Sequence, residues 1–145
     1  MAKTLIVFST KTGETELIGE FIMEGLKASG VKTDMMDAHS IKNENEIKSY
    51  DALAFGSAIY FGEMLKEMKD FLFIAEKAGL EGKVGGAFGA FEWSEEVVDL
   101  IYNTMKNIFK MDMASGPLMI KTCRNSSGRR MAHDYGREIA RKLGV

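Results

Sequence analysis

Residues 9–16 read Ser9-Thr10-Lys11-Thr12-Gly13-Glu14-Thr15-Glu16, four hydroxyl side chains and a glycine within one short stretch. Hydroxyls and turn N–H groups are uncharged donors, and a helix starting beyond them adds the positive end of its dipole. The ligand such a cradle suits is a phosphate. The stretch is not a Walker A loop, which needs Lys followed by Ser or Thr after two separated glycines. Nor is it a dinucleotide fingerprint, which needs three glycines. A helix cap requires one Ser or Thr, so four exceed what capping alone explains.

Two later stretches carry the next unusual chemistry. Gly56-Ser57-Ala58-Ile59-Tyr60-Phe61-Gly62 sets two adjacent aromatics among small residues, and Gly89-Ala90-Phe91-Glu92-Trp93-Ser94 contains the single Trp. Rings in glycine-flanked loops have little core to enter and suit stacking on a flat ligand. Tyr60 and Trp93 fit best, because amphipathic rings favour half-exposed sites. Phe61 and Phe91 are as well suited to plugging a sheet edge.

The elements that must position these loops alternate. Thr4-Leu5-Ile6-Val7-Phe8 is an apolar run typical of a strand buried on both faces. Leu17, Ile18, Phe21, Ile22 and Leu26 follow at helical spacing, ended by Gly30. Residues 31–35 alternate as an edge strand, residues 39–50 are a polar loop or short irregular helix, and residues 51–56 are a third strand. Met64, Leu65, Met68, Phe71, Leu72 and Ala75 mark a second helix, and residues 83–88 a glycine-containing fourth strand. Ser94 caps a third helix with Glu95 and Glu96 in its first turn. Residues 118–120 form a fifth strand ending near Cys123, and Met131, Tyr135, Ile139 and Leu143 lie on one face of a last helix. Strand–helix alternation predicts a parallel sheet covered on both faces. In a doubly wound sheet of order 2-1-3-4-5, the loops after strands 1, 3 and 4 converge on the ligand.

The turn Thr10-Lys11-Thr12-Gly13-Glu14-Thr15 resembles the FMN-phosphate loop of flavodoxins, and the likeness extends along nearly the whole chain. The resemblance implies an α/β, flavodoxin-like fold of five parallel strands in one domain, 1–145, with FMN as cofactor. It assigns the cofactor to Ser9, Thr10, Lys11, Thr12, Gly13, Glu14 and Thr15 in the first loop. Ser57, Ala58, Ile59, Tyr60, Phe61 and Gly62 follow in the second, and Gly89, Ala90, Phe91, Glu92 and Trp93 in the third. Tyr60 and Trp93 are the pair it places on the two faces of the flavin. The stretch 89–94 is similar to the flavodoxin domain of flavo-diiron proteins, although two His residues are too few for a diiron domain. Residues 3–10 and the loop 56–62 also resemble quinone-dependent protoporphyrinogen oxidases, which implies an alternative, an FMN-dependent oxidoreductase. Phe61 stands between the first aromatic and Gly62, where flavodoxins usually have Gly or Asn next to the aromatic.

Composition narrows the rest. A chain of 145 residues with 46% hydrophobic content buries one good core. A net charge of -2 argues against a nucleic-acid surface, and no apolar run reaches membrane-spanning length. One Cys excludes an internal disulfide framework. The expected location is the cytoplasm. Eleven Met residues at core spacing read as packing, and Lys121, Arg124, Arg129 and Arg130 as a solvated basic cluster near the last loop. Carboxylates at Glu14, Glu16, Glu63, Glu92, Glu95 and Glu96 face the binding edge and predict a low-potential flavin. The expected function is electron transfer between redox proteins, a reductase or ferredoxin-type donor on one side and an oxidoreductase acceptor on the other.

Overall fold

The computed structural model describes residues 2–90 and 96–145. β1 (Lys3–Ser9) is apolar without alternation because each face of it enters a separate core. Leu5 and Val7 join Phe55, Met68, Phe71, Val97, Val98 and Ile101 on one side. Ile6 and Phe8 join Ile18, Ile22, Leu26, Tyr135 and Ile139 on the other. The second face is therefore covered by α1 (Glu14–Ala28) and α4 (Ser126–Lys142), the first by α2 (Lys66–Glu76) and α3 (Glu96–Asn103). Where α1 and α4 cross, a Cβ on Gly136 would stand 2.1 Å from the Ile22 carbonyl oxygen, so the helices touch backbone to backbone.

The sheet runs β2 (Lys32–Asp37), β1, β3 (Ala52–Ser57), β6 (Val84–Ala90), all parallel. Its fifth place is shared by two short strands. β7 (Asp112–Met113) pairs Val84 and Gly85, and β8 (Leu118–Ile120) pairs Phe88 to Ala90. The order expected from sequence is thus present, with the fifth strand broken. The break leaves Ala87 facing no strand on that side, and the Tyr135 hydroxyl of α4 fills the gap. It accepts from the Ala87 N–H at 3.1 Å and lies 3.2 Å from the Ala87 carbonyl and 2.9 Å from that of Gly116.

Other departures have simple causes. Met64 and Leu65, read as helical, precede α2: residues 59–64 instead form a hairpin of β4 (Ile59–Tyr60) and β5 (Glu63–Met64). Met131 is 45% exposed, because α4 buries Ala132, Tyr135, Gly136, Ile139 and Ala140, one position further round. Cys123 lies beyond β8, fully buried, in the turn that enters α4. Ser94 and Glu95 fall outside the described residues. Among the described residues no helix is long and apolar enough to cross a membrane.

Candidate functional site

β1 and β3 are in register from Thr4 opposite Ala52 to Ser9 opposite Ser57, so they end at one level and their loops rise side by side. The Ala58 N–H donates to the Ser9 carbonyl at 2.8 Å and ties the two exits together. This is the point where strand order reverses, the crevice that doubly wound sheets use for ligands.

The turn after β1 is built as a cradle. Thr10 Oγ1 accepts from the Gly13 N–H at 3.0 Å and closes the turn. Gly13 then takes φ 89°, a left-handed conformation open to glycine, and no side chain caps α1. Glu14, Thr15 and Glu16 head the helix, where N–H groups have no helical acceptor behind them. A Cβ on Gly13 would meet nothing within 4 Å, so the space above it is open. Thr15 is 1% exposed, and its Oγ1 has no hydrogen-bond partner. Buried hydroxyls are nearly always paired, and this one borders the cleft, so a phosphate oxygen is the partner its position calls for. Thr4 Oγ1 is also unpaired but lies at the far end of β1.

Above the cradle stands the β4–β5 hairpin. Its two central residues, Phe61 (φ 50°) and Gly62 (φ 76°), both have the positive φ that a type I′ turn needs. Phe in that role is unusual, and its ring is 88% exposed rather than plugging the sheet. Tyr60, 48% exposed, meets it edge-on at 4.5 Å between centroids. Ser57 is a staple of the hairpin: its buried hydroxyl accepts from the Leu65 N–H at 3.2 Å and donates to the Ala58 carbonyl at 2.8 Å. From the cradle, Lys11 Nζ reaches to 3.8 Å from the Tyr60 ring centroid.

The third wall comes from the turn after β8. Glu14, at the head of α1, accepts from the Cys123 N–H at 3.0 Å and from Arg124 Nε at 3.2 Å. A hydrogen bond from the Thr122 side chain, then those from Cys123 and Arg124, hold its carboxyl below the ordinary 4.5 against the opposing effect of burial. Burial first, then the Glu14 charge, pushes the Cys123 thiol up to about 11, so it is not a reactive thiolate. Arg129 Nε donates to the Cys123 carbonyl and the guanidinium lies 5.6 Å from the Phe21 ring. Two members of the basic cluster therefore brace the turn, while Lys121 borders the cleft.

These walls enclose an open cleft of about 650 Å³, within the range of cofactor sites. Lys11, Thr12, Glu14 and Thr15 line it from the first loop, Ala58 to Gly62 from the second, and Ala90 from the end of β6. Ser9 and Thr10 lie behind, in a neighbouring groove with Asp37, His39 and Glu67. Gly89 packs under α3, where a Cβ would stand 2.6 Å from Val98 Cγ2. Phe91, Glu92 and Trp93 lie outside the described residues. Lys121 and Thr122 belong to the lining although sequence reasoning left them out of the site; their signal was position, directly after a strand whose end faces the same edge. Among the described residues no group of three His, Cys, Asp or Glu side chains could hold a metal ion. Of the carboxylates expected at the binding edge, Glu14 is bound to the last turn and Glu63 pairs with Lys69 at 3.1 Å, while Glu92 and Glu95 lie outside the described residues.

An open head of α1 with an unpaired buried hydroxyl, and exposed aromatics beside it, suit the two ends of a flavin mononucleotide, and the site lies at the switch point of a doubly wound sheet. The chain matches the family profile described as Flavodoxin domain over residues 5–90, and it belongs to that family, whose cofactor is FMN. A flavodoxin of Clostridium saccharobutylicum is 36% identical over 89 residues, covering 59% of this chain and 54% of its own. The protoporphyrinogen IX dehydrogenase (quinone) of Escherichia coli K12 is 33% identical over 70 residues, covering 48% of this chain and 38% of its own. The chain spans about half the length of the first curated relatives it matches. Among solved structures, a flavodoxin from the domain Archaea superposes with a TM-score of 0.90 at 27% identity, over 99% of both chains.

Proposed function

We propose that the protein is a cytoplasmic electron carrier in which FMN, bound in this cleft, exchanges electrons with redox proteins through an exposed ring edge. The observation that carries the reading is the half-exposed aromatic hairpin over the phosphate cradle: the ring end of the cleft lies at the surface. When bound, FMN supplies the electron chemistry, and the chain supplies position and electrostatics. Thr12, Thr15 and the first N–H groups of α1 hold the phosphate. Tyr60 would stack on the flavin ring; Trp93, the second aromatic that the family likeness assigns to it, lies outside the described residues. The backbone of Ala58 to Gly62 and Ala90 borders the ring, Gly13 leaves room for the phosphate, and Glu14 locks the third wall. The electron-rich Tyr60 ring would disfavour added negative charge on a flavin stacked against it, which would keep the potential low.

The likeness to a quinone-linked protoporphyrinogen dehydrogenase favours a second reading, an oxidoreductase with its own small substrate. One experiment separates them. In the carrier reading, NADH or NADPH alone reduces the FMN-loaded protein slowly, and adding a flavoprotein reductase or a ferredoxin-type donor makes reduction fast. Rapid hydride transfer from free nicotinamide, or quinone turnover without a protein partner, establishes the enzyme instead.

A further inference from the structure

Lys11 lines the cleft, and among the described residues its ammonium pairs with no carboxylate. Asp37 and Glu67 border the same groove as Lys11, yet it joins none of the ion pairs of the described residues. Glu14 is committed to the last turn and Glu63 to Lys69. The Lys11 stem instead crosses from cradle to hairpin and seats Nζ 3.8 Å from the Tyr60 centroid, where the negative face of the ring attracts a cation. A lysine needed only for solubility would point into water, and one needed only for the phosphate would stay over the open space at Gly13.

We propose that Lys11 sets the charge at the ring end of the cleft: its ammonium favours the reduced, more negative form of bound FMN and raises the midpoint potential above what a neutral residue would give. The inference rests on the FMN-carrier reading. No covalent bond in the protein changes; an external donor supplies the electron, and its charge resides on the flavin ring beside Tyr60. For a charge about 7 Å away, at an effective dielectric between the near-surface value of about 20 and that of water, reduced FMN is favoured over oxidised about tenfold. Because the site is open, added salt weakens the effect. A purely phosphate-binding Lys11 would strengthen both redox states of FMN alike.

The test uses Lys11→Met, which keeps stem length without charge, and Lys11→Arg, which keeps the charge. Affinities of oxidised FMN and riboflavin are read from flavin fluorescence, and midpoint potentials from dithionite titration against a reference dye. In Lys11→Met, reduced FMN loses about tenfold more affinity than oxidised FMN, the potential falls correspondingly, riboflavin shows the same fall, and high salt narrows the gap. Lys11→Arg stays near the parent. An unchanged potential in Lys11→Met overturns the proposal and leaves the carrier reading standing, whereas a parent protein that binds no FMN overturns both. A readout without flavin stands beside these: in the FMN-free protein the Lys11 ε-methylene protons are shifted upfield by the Tyr60 ring current, and Tyr60→Leu abolishes the shift. Absence of that shift in the parent also overturns the proposal.

Discussion

Thr15 carries the least satisfied buried atom at the cleft, and that makes it the most informative residue to change. In Thr15→Val the shape is kept and, in the FMN-free protein, no hydrogen bond is lost. FMN affinity is expected to fall by about 1.5–3 kcal/mol while the melting temperature without FMN holds or rises. A matched loss of both would mean that the hydroxyl serves the fold. Fluorescence titration and thermal melts supply the two numbers. Glu14 is the residue whose role the sequence hid. Its partner Cys123 lies 109 positions away, and no local pattern announces such a pair. The hydroxyls of the cradle, by contrast, were legible because a phosphate site needs them within one turn. Since the folded-state carboxyl of Glu14 titrates below 4.5, its stabilisation is complete above that value and is lost as pH falls through the lowered one. The expected outcome is that Glu14→Gln melts below the parent at neutral pH and that the two converge in acid. A constant gap across pH would assign the loss to shape rather than charge.

At the scale of elements, what was legible followed length. β1, α1 and α4 are long enough for periodicity to show: in α4 Tyr135 and Ile139 are buried and Leu143 packs against them, and only Met131, at the edge of that face, is exposed while the small Ala132 beside it is buried. β4, β5 and β7 have two residues each, too few for any period, and the Phe61–Gly62 turn lacks the Asn-Gly signature of its type. The broken fifth strand also explains a tyrosine that the sequence offered only as a core residue. Tyr135 supplies from a helix the hydrogen bonds that a continuous strand would have given Ala87. Tyr135→Phe leaves the ring in place but strips the buried Ala87 N–H of its partner. Urea unfolding should therefore show a loss of about 1–3 kcal/mol. FMN affinity should change little, because Ala87 lies inside the sheet, away from the cleft lining. An equal fall in affinity would show that the break in the strand is coupled to the site.

The whole molecule carries a net charge of -2, yet the described wall of the cleft is basic. Lys11 and Lys121 line it, Arg124 stands beside it, and Glu14, the carboxylate among them, is consumed by the last turn. Lys121 enters no ion pair among the described residues, so its charge is available to a partner. A carrier that docks by this wall should prefer an acidic donor or acceptor, since complementary charge speeds encounter more than it strengthens the complex. Electron exchange with an acidic ferredoxin-type protein, followed by stopped flow, is expected to slow as salt rises and the Debye length contracts from about 30 Å at 0.01 M to about 10 Å at 0.1 M. Lys121→Glu should slow the low-salt rate severalfold and flatten the salt dependence, with the rate taken per FMN-loaded molecule because Lys121 also lines the cleft. A rate that climbs with salt in the parent would mean that the partner approaches another face, with the cleft wall repelling it.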